Sequence, residues 1–452
     1  MPSSLVSQPI ADGVGTSKPE PASVLVACPD ARPPAYNAVV GLAGAGCLQG
    51  FLTGFYYSGL GPVTSLAKGL APCWFARGRR LLKRRHHPRI PADRVQTVLS
   101  YDLAIALERR LGSRRPAARR RVAQWRTRRF DRTLARSLDR RRPDALLVFS
   151  DVGSEFALPA CRKLGVATVL SMVHGDVREE RDVLAEEARR APEFTRLYLG
   201  DVSIDAGEMT WLHERRLRDI ALADLILVPS DHIAETLARH GTARERIRVV
   251  PYAADVRRFR PLSGKIHGKS CTFLFTGGIC QRKGIKDLLD AWRLVRRPGW
   301  RLQLLGPLPT DPGPLAPLLD GVELLGRLPH AEVPARMALA DVFVFPSLFE
   351  GSAVVTYEAL ASGLPCIVTP SAGSIVRDGV EGLLVPERDP EAIARAMERL
   401  GLDAGLRARF ARSARTRAEA FDWPRYHSGV NTAICEAIQI RSLHSTSRVT
   451  TP

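Results

Sequence analysis

The stretch VFVFPSLFEGSAVVTYEALASGLPCIVT, residues 342–369, reads as strand, loop, helix and strand. Its two apolar runs, VFVFP and CIVT, show no polar alternation, which is the pattern of parallel strands covered on both faces. The helical segment between them stops at Gly363 and Pro365, residues that disfavour its continuation. A helix joining two parallel strands is the unit from which doubly wound α/β sheets are built. The same stretch holds two acids, Glu350 and Glu358, in a chain whose formal net charge is +19.

The pattern repeats on both sides. Downstream of residue 270 the apolar runs CTFLFTG, RLQLLG, VELLG, VFVFPS, CIVTP and GLLVP alternate with helical spacing, and upstream VLVAC, ALLVFS, VATVLSM, LILVPS and IRVVPY do the same. Between the two series, YAADVRRFRPLSGKIHGKS (252–270) breaks the alternation with Pro, Gly, Ser and charge and reads as a linker. The economical arrangement is two doubly wound parallel-sheet domains, 21–255 and 256–423, facing a central cleft. A late segment, PRYHSGVNTAICEAIQI (424–440), puts Tyr426, Val430, Ala433, Ile434, Ala437 and Ile438 on one helix face, suited to packing back on the first domain. Residues 1–20 and 441–452 are expected to be disordered.

Bulk properties narrow the class. A chain of 452 residues, 45% hydrophobic and 25% charged, is a soluble globular composition with room for two or three cores. Its eight cysteines show no zinc or disulfide spacing, and the polar first twenty residues lack a basic signal-peptide start, so a reducing, cytoplasmic setting is expected. The uncharged stretch Pro33–Ala67 has no apolar run of the roughly 18 residues a membrane span needs, and reads as a buried helix and strand, with an interfacial contact as the alternative. Charge is concentrated: residues 77–142 hold 23 Lys/Arg against five acids. Such a field attracts phosphate on nucleic acid, anionic lipid or a phosphorylated substrate, although a solvated, arginine-rich surface has the same composition.

Ligands of such sheets sit at the carboxyl ends of the strands. After FLFTG, the helical spacing of Ile285, Leu288, Leu289, Trp292 and Val295 places Arg282 and Lys283 at a strand-to-helix turn, with Gly277, Gly278 and Gly284 nearby. Two cations at the positive end of a helix suit a diphosphate, and a solvated basic turn is the alternative. Ser352 reads as an N-cap, with Gly351, Ser352 and Ala353 lending backbone N–H groups to the same cleft. A fixed carboxylate accepts from two vicinal sugar hydroxyls, so Glu350 and Glu358 suit two such sets; helix-dipole compensation and an exposed helix position fit them equally well. In the first domain VATVLSM runs into VHGD, which sets His174 and Asp176 at a strand's carboxyl end. No GxGxxG, P-loop, GxSxG, HExxH or Asp-x-Asp motif occurs.

The segments GGICQRKGIKDLLDAW, LLGRLPHAEVPARMALADVFVFPSLFEGSAVVTYEALASGLPCIVT and AGSIVRDGVEGLLVPERDPEAIARAM resemble the retaining glycosyltransferases of family 4, also called glycosyl transferases group 1, which have the GT-B fold. The likeness is dense from Leu225 to Met397. It implies a metal-independent transfer from a nucleotide-sugar donor, without a cofactor, to a glycan or lipid-linked acceptor. Glu358 then falls at the acid that holds the ribose, Glu350 at the one that meets the donor sugar, and Lys283 at the lysine on the diphosphate. His174 falls at the cleft histidine, and Leu328 where backbone meets the base. The family's arginine five residues before the lysine is Gly278 here, with Arg282 adjacent to the lysine instead. The resemblance suggests bacterial polysaccharide, lipopolysaccharide or glycolipid synthesis, in the cytoplasm or peripherally at the inner membrane face. A basic nucleic-acid-binding or anionic-lipid-binding protein is the rival, as is a GT-B protein of other chemistry, such as an epimerase or an inactive scaffold.

Overall fold

The computed structural model describes residues 21–30, 32–57, 85–112, 115–199, 206–265 and 268–449. The expected disorder of 1–20, the end of the uncharged stretch from 58 and the basic residues 77–84 lie outside them. Seven strands form the first sheet: β1 Val24–Ala27, β2 Leu48–Thr53, β3 Val95–Thr97, β4 Ala145–Phe149, β5 Ala167–Ser171, β6 Leu225–Val228 and β7 Ile247–Val249. Their order is β3-β2-β1-β4-β5-β6-β7, and every neighbouring pair is parallel. The second sheet holds β8 Cys271–Thr276, β9 Trp300–Leu305, β10 Val322–Gly326, β11 Val342–Phe345, β12 Cys366–Val368 and β13 Gly382–Leu384. It is also all parallel, in the order β10-β9-β8-β11-β12-β13. Two Rossmann-like sheets of this kind make the GT-B fold expected from the sequence.

Helices cover both faces. The first domain has α1 Pro33–Gly44, α2 Leu99–Leu111, α3 Pro116–Arg141, α4 Ala157–Leu164, α5 Val177–Arg190, α6 Ala206–Leu222 and α7 Asp231–Arg239. The second has α8 Ile285–Val295, α9 Val333–Leu339, α10 Val354–Ala361, α11 Pro390–Leu402 and α12 Ala404–Ala420, followed by α13 Trp423–Val449. Because β4, β5, β6 and β11 are buried at every position, their sequences have no polar face to alternate. The uncharged stretch supplies α1 and β2, the helix and strand read from it.

The terminal helix differs from its sequence reading. It does not stop at 440 but continues to Val449, through residues expected to be disordered. Arg441 explains the extension, since its guanidinium grips Asp224 of the first domain at 2.6 Å and fixes the helix beyond its apolar face. Earlier along α13, the Tyr426 hydroxyl donates to the Pro34 carbonyl at 3.2 Å, and Arg248 pairs with Glu436.

The domains also meet beside the cleft. Glu187 of α5, 1% exposed, accepts from Gln281 at 2.6 Å and from Arg388 at 2.7 Å, both in the second domain. Arg190 bridges to the buried Asp287 at 2.5 Å. A buried carboxylate needs such partners, because desolvation alone would drive it neutral.

Candidate functional site

Each sheet's strand order reverses at its centre, between β1 and β4 and between β8 and β11, which opens a crevice at the carboxyl ends of those strands. In the second domain the loops after β8 and β11 fill that crevice. Phe275 and Phe345 stack at 5.6 Å on these strands, and the Lys283 ammonium lies 4.9 Å above the Phe345 ring. A packed aromatic floor of this kind restricts the lysine to few positions.

Lys283 forms an ion pair with Glu350, and the Arg282 guanidinium stands 3.7 Å from the same carboxylate oxygen. The two cations and the acid singled out in the sequence are therefore one cluster. Burial acts to raise the Glu350 carboxyl, but Lys283 and Arg282 outweigh it and hold it below the usual range. Burial likewise acts against the Arg282 charge and is outweighed by Glu350. The loops that carry these residues are tied together: Leu348 N–H donates to the Arg282 carbonyl at 2.9 Å, and the Ser347 hydroxyl donates to it at 3.1 Å. Gly284 is required here, because its φ is +67° and a Cβ would overlap the Pro346 carbonyl. Gly277 lies beside the Lys283 stem, whereas the space above Gly278 is open.

The loop after β11 touches the first domain. A Cβ on Gly351 would overlap the Val173 carbonyl, and its carbonyl accepts from Ser230 Oγ at 2.9 Å. The His174 backbone is thereby placed against Gly351. Two expectations are corrected at this point. Ser352 is not an N-cap: α10 starts one residue later, with Ala353 at the cap position, and the Ser352 hydroxyl donates to the Gly373 carbonyl at 2.6 Å instead. The Ala353 N–H is also committed, donating to the Ala372 carbonyl at 3.0 Å. The physical reason is a buried hydroxyl that pairs with the nearest carbonyl and with Tyr357 Oη at 3.1 Å in place of the helix end.

Glu358, the one charged residue of α10, is 15% exposed and lies 3.7 Å from His330 Nε2. His330 belongs to the segment after β10 that also holds the half-buried Leu328, so the expected ribose acid and base-contacting residue lie in adjoining elements. Among the described residues, no three His, Cys, Asp or Glu side chains converge as a metal cage.

On the first-domain side, His174 Nε2 stands 3.5 Å from Asp151 Oδ1. Asp151 was missed by the sequence reading, although it ends the apolar run LLVFSD just as His174 follows VLSMV, so the same strand-end signal marks it. It adopts a left-handed φ of +84°, rare outside glycine, and is held there by its neighbours. Arg216 Nε donates to its carboxylate at 2.7 Å, and its own N–H donates to Asp219 at 3.0 Å. Burial raises the Asp151 carboxyl, yet Arg216 and His174 more than reverse this and keep it well below the usual range. At Asp219 the Asp151 N–H and Arg215 act the same way but are outweighed: burial, then the Asp151 charge, push its carboxyl up to about 8. Beneath them the fully buried Arg215 pairs with Asp131 at 3.3 Å and with Glu155 at 2.6 Å, while Asp131 accepts the N–H groups of Glu155, Phe156 and Ala157. Asp176, which the sequence sets with His174 at the carboxyl end of a strand, caps α5 and binds Arg178.

The family profile described as glycosyl transferases group 1 matches residues 270–403, and that of glycosyltransferase family 4 matches residues 68–258. The lipopolysaccharide core biosynthesis glycosyltransferase LpsE of Rhizobium meliloti is 32% identical over 252 residues, which span 54% of this chain and 72% of that protein. The chain belongs to glycosyltransferase family 4. Another relative, the putative colanic acid biosynthesis glycosyltransferase WcaL of Salmonella typhimurium, is 30% identical over 251 residues. That match covers 52% of this chain and 55% of WcaL, so the chain spans about half the length of this curated relative. The family 4 fold is shared with the solved Anabaena protein HepE in complex with UDP-glucose, at 15% identity and a TM-score of 0.56, covering 92% of this chain and 99% of that one.

Proposed function

We propose that the protein transfers a sugar from a nucleotide-sugar donor to an acceptor hydroxyl, with retention of anomeric configuration, in the synthesis of a bacterial polysaccharide, lipopolysaccharide or glycolipid. The observation that carries this reading is the cluster of Lys283, Arg282 and Glu350 at the switch point of the second sheet, with His174 packed across from it. The named activities of LpsE and WcaL and the UDP-glucose held by HepE support it.

The second domain takes the donor and the first takes the acceptor. Lys283 and Arg282 meet the diphosphate and stabilise the charge that develops as it leaves, which needs no metal. Glu350 and His174 orient the donor sugar, Glu358 binds the ribose hydroxyls, and backbone near Leu328 meets the base. The bond from the anomeric carbon to the phosphate oxygen breaks while the acceptor oxygen bonds to that carbon from the same side. The acceptor's proton passes to the departing diphosphate. Asp151 joins this scheme as a positioning residue, since its carboxylate fixes the His174 ring. On this reading the enzyme works at the cytoplasmic face, on an acceptor carried by an anionic membrane.

Thermal stabilisation against a panel of UDP, GDP, ADP and dTDP sugars tests the donor site, with Glu358→Ala and Lys283→Ala in parallel. A shift selective for one nucleotide and lost in both variants is expected. Failure of every sugar nucleotide to shift the folded wild type would falsify the donor reading. Acceptor-dependent release of nucleoside diphosphate then separates a transferase from an epimerase or scaffold.

A further inference from the structure

We infer that the pair of helices α2 and α3 is a membrane-docking wedge that inserts leucine and tryptophan side chains into an anionic lipid surface. The inference rests on the reading of a membrane-borne acceptor and names the surface that would meet that membrane.

The geometry comes from three sets of contacts. Arg141, at the end of α3, bonds with Gln49 at the start of β2, so this end lies at the amino edge of the sheet. Asp131 binds the N–H groups that follow β4, so it is level with the carboxyl edge. The 26-residue α3 thus has its first fifteen residues, roughly 22 Å of helix, beyond the carboxyl edge, on the side of His174 and Asp151. Helix α2 leaves β3 at that edge and runs antiparallel to α3: Arg129 bonds Ser100 at 2.8 Å, and Arg126 pairs with Glu108 further out.

This projecting pair is apolar where water should be. Leu99, Leu103 and Leu107 repeat every four residues on one face of α2 and are 53%, 71% and 48% exposed, and Trp125 of α3 is 50% exposed. Leu103, Leu107 and Trp125, with Ala104 and Val122, line an open groove of about 460 Å³. A contiguous exposed patch of this kind marks an interaction surface, unlike singly scattered leucines. Its rim is cationic: Arg121 lines the groove, and Arg129, Arg132 and Arg136 line a second cleft on the other side of Trp125. Among the described residues none of these four arginines is paired with a carboxylate, and α3 as a whole carries ten arginines and two aspartates.

Charge and apolarity together select the partner. A nucleic acid would use the arginines and leave the leucine stripe in water, and among the described residues of the two helices Trp125 is the one exposed ring that could stack on a base. A lipid surface uses both, since basic side chains meet anionic headgroups while Leu and Trp enter the acyl boundary. The wedge stands on the carboxyl edge of the acceptor domain, so docking it would bring the cleft close to an acceptor whose lipid remains in the bilayer.

Co-sedimentation tests this, using the full chain with vesicles of phosphatidylcholine alone and of phosphatidylcholine with phosphatidylglycerol at about one part in three. Wild type should partition at least about tenfold more strongly to the anionic vesicles. Leu103→Asp with Leu107→Asp should weaken that binding by about tenfold or more without changing thermal unfolding, since both side chains are exposed. Arg121→Gln with Arg136→Gln should weaken binding and flatten its salt dependence. The wedge is refuted if wild type stays in solution, or if the leucine pair leaves binding unchanged. It is equally refuted if light scattering shows a wild-type dimer that the leucine pair makes monomeric, since the patch would then bind a second copy. Sugar-nucleotide stabilisation without vesicles reads the donor site alone, so either reading can fail while the other stands.

Discussion

Replacing Glu350 by Gln should make the protein bind a bare nucleoside diphosphate more tightly while it loses its preference for the sugar nucleotide. Both cations face this one carboxylate, Lys283 in an ion pair and Arg282 at 3.7 Å. A diphosphate that takes the cations must compete with it. At an effective dielectric of about 20, a charge pair at that separation has a gross attraction of roughly 4.5 kcal/mol, most of which is offset by desolvation and by the charge that replaces it. A net gain of about 1–2 kcal/mol remains, or roughly 5- to 30-fold in Kd. Without added ligand the variant should also be less stable, by about 2–3 kcal/mol, because two largely buried cations lose their counter-charge. Since the folded Glu350 carboxyl is held below its usual range, this contribution is present above the unfolded pKa of about 4.3 and disappears as pH falls through the folded value. Titration calorimetry with the nucleoside diphosphate and its sugar form, and urea unfolding without ligand, measure these effects. Unchanged or weaker diphosphate binding, with unchanged stability, would show that Glu350 does not compete for the cations.

Other outcomes follow from single contacts. Gly284→Ala must place a Cβ against the Pro346 carbonyl at a φ of +67°, so it should cost more than about 2 kcal/mol in urea unfolding and abolish donor stabilisation. Arg215→Met leaves the buried Asp131 and the partly buried Glu155 without their shared cation, and should destabilise the fold by about 3–5 kcal/mol. Asp219→Asn should act in the opposite direction. Its carboxyl is raised to about 8, so its stability contribution is complete below the unfolded pKa and is lost as pH rises through the folded one. The variant should gain on wild type by about 1.4 kcal/mol per pH unit between pH 5 and 8, read from unfolding midpoints across that range.

The alternation of apolar runs and helical segments was enough to specify two parallel sheets, because strands buried on both faces cannot carry a polar alternation. Local spacing also placed Lys283, Arg282 and Glu350 at strand ends, where the fold does bring them together. Which groups then pair was a tertiary matter. Ser352 has the residue type of a cap, but its hydroxyl donates to the Gly373 carbonyl, twenty-one residues on, and the helix starts one residue later. Asp151 and Arg216 are sixty-five residues apart, and their ion pair exists because β4 and α6 meet at one edge of the sheet. The basic segment shows the same division: its sequence fixed a charge density, whereas the projection of α3 past the sheet set that charge beside an exposed leucine stripe. Periodicity and residue type act within a few turns of chain, so they determined the elements and their ends. Contacts between distant elements depend on sheet order and helix length together, and only the folded chain decided those.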